Sequence, residues 1–177
     1  IRSLELFTRN GKVSSVTVDM GKAYLKPGEI PALLDGENII ARNAEIGGKE
    51  YSMTCVSVGN PHCVIFVDNV DKVDIEKTGP QIENAEIFPE RINTEFVRVV
   101  NRRTLKMRVW ERGNGETLAC GTGACAAAVA AVLEGKCDKG KDITVKLRGG
   151  DLIVNYTDEK ITLTGDCNLV FTGEIEY

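Results

Sequence analysis

Short runs in which apolar and polar residues alternate dominate this sequence, and a period of two marks half-buried β-strands. Leu4 to Thr8 and Val13 to Met20 flank Arg9-Asn10-Gly11-Lys12, where Asn-Gly supplies the positive φ angles of a tight hairpin turn. Lys26-Pro27-Gly28 and Leu34-Asp35-Gly36 mark turns, and Tyr51 to Val58 and Cys63 to Val67 read as strands interrupted by Gly59-Asn60-Pro61. A short helix is expected over Asp74 to Asn84, although Gly79-Pro80 weakens it. Glu95 to Val100 and Thr104 to Trp110 form a second hairpin around Asn101-Arg102-Arg103. Leu105, Met107 and Val109 share one face of that hairpin, and the period puts Glu111 on the same face.

One segment breaks the alternation. After a Gly-rich loop, Arg112 to Gly123, the run Ala124 to Glu134 holds six alanines with Val129, Val132 and Leu133, which favours helix, and Gly135 stops it. A helix apolar nearly all round should be enclosed on every side. Ile143 to Leu147, Leu152 to Tyr156 and Ile161 to Thr164 then form an antiparallel meander. The expected class is α+β, an antiparallel or mixed β-sheet curved into a barrel around one central helix.

Composition excludes several classes. Of 177 residues, 22 are Lys or Arg and 26 Asp or Glu, a formal net charge of −4 with the basic residues scattered, so no nucleic-acid footprint exists. A hydrophobic content of 42% against 27% charged residues is that of a globular chain able to bury a core. Leu118 to Leu133, a long uncharged stretch, falls short of the roughly 20 apolar residues a bilayer span needs, so no membrane partner is expected. With no secretory signal at the start, the six cysteines read as reduced thiols of a cytoplasmic protein. The single histidine, His62, adjoins Cys63, and strand neighbours face opposite ways, so no metal is expected there.

The chemistry concentrates around Cys120. This thiol stands immediately before the helix start, where unpaired N–H groups and the helix dipole lower a thiol's pKa. The N–H groups of Gly121, Thr122 and Gly123 would also bind a carboxylate. The same residues fit a plainer reading, a small buried thiol at a tight strand-to-helix turn. Gly121-Thr-Gly123-Ala-Cys-Ala126 formally fits a dinucleotide-binding pattern, but a meander follows the helix and no acidic residue ends the next strand. Glu111-Arg112 offers one group for an ammonium and one for a carboxylate, or else a surface ion pair.

Taken together, Gly59-Asn-Pro-His62, Ile92-Asn93, Glu111-Arg112-Gly113 and Leu118-Ala-Cys120-Gly-Thr-Gly-Ala124 resemble diaminopimelate epimerase, in order over nearly the whole chain. The Cys-Gly-Thr-Gly element is also similar to proline racemases. The resemblance implies a fold of two pseudo-symmetric domains and a lysine-biosynthesis isomerase that interconverts LL- and meso-diaminopimelate with two cysteines and no cofactor, pyridoxal phosphate included. One thiolate removes the α-proton and the other thiol delivers one. It implies that Cys120 is one of the pair, that Asn60, Asn93, Glu111, Arg112, Gly121 and Thr122 contact substrate, and that His62 and Glu111 tune the cysteines.

The resembling family carries its other cysteine in a Cys-Gly-Asn-Gly motif that this sequence lacks. The expected organisation is therefore a remnant hairpin of the N-terminal domain over 1–20, the C-terminal epimerase domain over 21–165, and a closing strand over 166–177 that returns to the N-terminal domain. The implied partners are the small-molecule substrate and that missing domain, with a homodimer left open. A non-catalytic binding or scaffold domain and a proline-racemase-like enzyme with another substrate stand as alternatives.

Overall fold

Asn10 and Gly11 take φ values of 53° and 74°, the pair of positive angles a two-residue hairpin requires, and join β1 (Leu4–Arg9) to β2 (Lys12–Gly21). The structure is a computed structural model that describes residues 2–176. Ile1 and Tyr177, the outer ends of the expected terminal segments, lie outside the described residues.

A second hairpin, unforeseen in the sequence reading, follows a long irregular stretch. β3 (Arg42–Ile46) pairs with β4 (Lys49–Ser57) across Gly47 and Gly48, both at positive φ. The Gly-Gly signal was present; β3 was obscured because its pattern is largely exposed and polar. β5 (Pro61–Phe66) pairs antiparallel with β4, and β6 (Asn93–Asn101) runs parallel to β5. A parallel pair needs a crossover, which α1 (Ile75–Glu83) supplies, its N-terminus capped by the Asp74 side chain accepting from the Lys77 N–H. Gly79 is required here, because a Cβ would lie 2.4 Å from the Trp110 ring.

β7 (Thr104–Glu111) completes the hairpin with β6, and β8 (Gly115–Thr117) folds back on β7. The expected loop from Arg112 to Gly123 is thus corrected at both ends: it contains β8, and α2 spans Gly121–Leu133, starting three residues before Ala124. β9 (Asp142–Leu147), parallel to β7, leads into β10 (Gly150–Tyr156) and β11 (Ile161–Asp166).

The sheet order is β1-β2-β11-β10-β9-β7-β6-β5-β4-β3, with β8 beside β7, a mixed, mainly antiparallel sheet. It runs unbroken across the expected boundaries at 20 and 165, because β2 pairs with β11. Residues 167–176 form no strand. Residues 124–131 of α2 are buried throughout, and the helix packs on β4, β5, β6, β7, β9, β10 and β11. Its alanines let strands approach from nearly every direction, which a Leu-rich helix would prevent. The opposite face of the sheet carries a second core, with Ile39, Met53, Ile75, Ile82, Phe88 and Phe96 under α1. Regular pairing leaves β1 and β3 as edges. Past β2, however, Tyr24 exchanges both backbone hydrogen bonds, at 2.9 Å each, with Ser57 at the end of β4.

Candidate active site

Strand register carries several polar side chains to the face that holds α2. His62 lies opposite Val56 on β4 and Asn93 on β6, while Glu95 lies opposite Val64 and Val109. Val56, Val64 and Val109 pack in the core around α2, so the alternation places His62, Asn93 and Glu95 on that side too. Glu111 extends the buried series Leu105, Met107, Val109, as its spacing predicts.

Cys120 is the N-cap of α2, with extended backbone angles of −139° and 112°. The first intrahelical bond runs from the Ala124 N–H to its carbonyl at 2.9 Å, so the N–H groups of Gly121, Thr122 and Gly123 have no partner within the helix. The sulfur lies 3.6 Å from Thr122 Oγ1, which accepts from Asn60 Nδ2 at 3.2 Å. His62 Nδ1 lies 2.7 Å from Glu95 Oε1, both side chains fully buried. At Gly123 a Cβ would come within 2.7 Å of that oxygen and 3.3 Å of the Cys120 sulfur.

The expectation of a lowered thiol pKa is corrected by this surrounding. Burial first, and then the nearby Glu95 carboxylate, push Cys120 up to about 12. The Thr122 hydroxyl and Gly123 N–H pull the other way and lose. Partial charges at a helix end act weakly against removal of water from a full thiolate charge. Cys125 is also pushed to about 12 by burial, and Cys63 is raised by its hydrogen bond to Cys55 and by burial. All six cysteines are free thiols.

Glu111 and Arg112 form no ion pair with each other among the described residues. The Thr117 hydroxyl donates to Glu111, and the Arg112 guanidinium donates to the Glu90 carbonyl at 2.7 Å. Asn93 links two motifs, donating to the Pro61 carbonyl at 2.8 Å and accepting from the Arg112 N–H at 2.9 Å.

Two residues escaped the sequence reading. Buried Glu83 accepts from Trp110 Nε1 at 2.7 Å and from the Gly113 N–H at 2.9 Å, fixing the turn after β7. Glu95 is the other; its signal was a charge in phase with inward-facing Val97. Among the described residues no cluster of His, Cys, Asp or Glu is placed to hold a metal ion.

The sequence profile of the family described as diaminopimelate epimerase matches residues 54–170, which hold every side chain of this site. The chain belongs to this family. It is 52% identical over 178 residues to a diaminopimelate epimerase of Acetivibrio thermocellus, covering 99% of this chain and 63% of that protein. It is 49% identical over 175 residues to one from a Geobacillus species, covering 98% and 62%. The chain thus spans somewhat less than two thirds of these epimerases. A crystal structure of a probable proline racemase from Agrobacterium radiobacter K84 superposes with a TM-score of 0.63 at 13% identity, covering 92% of this chain and 54% of that one. That likeness is one of fold, the sheet-dominated α+β arrangement described above.

Proposed function

We propose that this chain forms the Cys120 half of a cofactor-independent epimerase that inverts the α-carbon joining LL- and meso-diaminopimelate. The observation carrying the reading is the buried Cys120 thiol at the start of α2, beside helix N–H groups without intrahelical partners and next to Thr122, Asn60 and Glu95. Inversion needs one group to take the α-proton from one face and another to return it on the opposite face. Cys120 serves as one of these two. The N–H groups of Gly121 and Thr122 hold the substrate carboxylate, and Asn60, Asn93, Glu111 and Arg112 complete the contacts, with Glu111 facing the ammonium. His62 and Glu111 set the electrostatics of the thiol.

The opposing thiol and the rest of the enclosure belong, in this proposal, to a further domain. Leu4, Leu6 and Phe7 on β1, and Leu169, Val170 and Phe171 beyond β11, expose apolar side chains suited to that contact. The Tyr24–Ser57 bridge supports, in this proposal, closure of the sheet into a barrel around α2.

The test uses the protein expressed from the complete reading frame, incubated with LL-diaminopimelate in deuterated water. Cys120→Ala should abolish interconversion while the fold survives by circular dichroism. Undiminished turnover in that variant overturns the proposal. Saturable binding of the amino acid without isotope exchange in the unaltered protein would favour a binding domain instead.

A further inference from the structure

Among the described side chains facing α2, Glu95 is a charged group to which the reading above gives a place beside Cys120 but no role. Full burial of a carboxylate is expensive unless its partners repay it, and among the described residues His62 Nδ1 at 2.7 Å is its sole side-chain partner. The second oxygen, Glu95 Oε2, is buried without a hydrogen bond among the described residues, and so is His62 Nε2.

We propose that Glu95 is a positioning residue of the epimerase site: it fixes the ring and tautomer of His62 through Nδ1, and the absence of a side chain at Gly123 seats its carboxylate against the start of α2 beside Cys120. This inference rests on the proposed function.

Two independent features of the geometry carry it. A carboxylate that accepts here draws a ring hydrogen to Nδ1 and leaves Nε2 as the nitrogen without a hydrogen-bond partner among the described residues. Glu95 thereby decides which nitrogen His62 presents, and its hydrogen bond keeps the ring from turning. Gly123 supplies the second feature, since a Cβ there would stand 2.7 Å from Oε1. The last glycine of Cys120-Gly-Thr-Gly123 thus has a purpose besides starting the helix: it leaves the room that Glu95 occupies. The titratable groups that sense this carboxylate include His62 and Cys63 on β5 and Cys120 at the head of α2, and Glu111 on β7 adds its charge at the Cys120 thiol. The negative charge beside Cys120 favours the protonated thiol, the form required of the member of the pair that delivers a proton.

The experiment compares Glu95→Gln, Gly123→Ala and Cys120→Ser in the protein from the complete reading frame. Its readouts are kcat, KM, the pH profile of kcat, and the ¹⁵N resonances of His62 assigned with a His62→Gln variant. Glu95→Gln should lower kcat by about 10- to 100-fold with KM nearly unchanged, displace the pH profile, and release His62 from its fixed Nδ1–H tautomer. Gly123→Ala keeps the carboxylate but displaces it, and should move the pH profile and His62 resonances in the same sense. Its result stands if Glu95→Gln does not fold. An unchanged pH profile and unchanged His62 tautomer in a folded variant, with Cys120→Ser inactive, overturn the role of Glu95 alone. Turnover that survives Cys120→Ser overturns the epimerase reading itself.

Discussion

Asn60 Nδ2 donates to Thr122 Oγ1 across 3.2 Å, tying the turn before β5 to the first turn of α2. The same hydroxyl lies 3.6 Å from the Cys120 sulfur. One threonine therefore couples the Asn-Pro-His and Cys-Gly-Thr-Gly motifs, and its orientation depends on both.

Thr122→Val should break that link at little structural cost, about 1 kcal/mol for one net hydrogen bond. Steady-state kinetics on the protein from the complete reading frame should show KM raised several-fold, with Thr122→Ser near the parent. Equal kinetics for Val and Ser would remove the hydroxyl from the site.

Glu111 ends a buried strand face and accepts from the Thr117 hydroxyl. Glu111→Gln should reduce turnover by one to three orders of magnitude, about 1.4 to 4 kcal/mol of barrier. Thr117→Val, which leaves the carboxylate in place, should cost less. A Glu111→Gln enzyme with parental kcat would assign the residue to the scaffold.

Because burial and Glu95 push Cys120 up to about 12, little of it is thiolate at neutral pH. Mass-spectrometric mapping after iodoacetamide treatment at pH 7 should find partly exposed Cys167 modified well before Cys120. Labelling of Cys120 should climb with pH, and Glu95→Gln should accelerate it by removing the neighbouring negative charge. Fast labelling of Cys120 at pH 7 would contradict this.

The raised thiols also make stability depend on alkaline pH. Cys120 and Cys125 stand near 12 in the folded chain against an ordinary value of 9.0, so the folded state holds more protons above that value. Their contribution is fully present below about pH 9 and is lost as pH rises toward 12. Thermal melts should fall over this window, and Cys125→Ala should fall less steeply than the parent. A melting temperature constant from pH 8 to about 10.5 would refute the linkage.

Glu83 holds the Trp110 indole and the Gly113 N–H from a buried position. Glu83→Ala should cost about 1 to 3 kcal/mol in urea unfolding, since it removes the buried acceptor that holds the half-buried Trp110 indole and the Gly113 N–H. Glu83→Gln keeps one acceptor and should cost less. The converse order would show that these contacts do not hold the turn.

Local rules suffice for much of this protein. The Asn10-Gly11 hairpin, the alternation through β7 that ends at Glu111, and the alanine-rich helix were legible because turn chemistry, strand period and helix propensity act within a few residues. Cys120 and Glu111 stood out by helix start and strand period, whereas Asn60, His62 and Asn93 were singled out through the resemblance of their motifs to a known family. Tertiary structure alone decided their partners. Register across β5, β6 and β7 set Glu95 behind His62, a pairing between residues 33 apart that no local pattern encodes. The polar edge strand β3 carried no core-facing pattern, so its pairing partner had to define it. The ionisation of Cys120 was decided the same way, because a helix start is visible in the sequence, whereas the water excluded from the thiol is fixed only when the strands pack against α2.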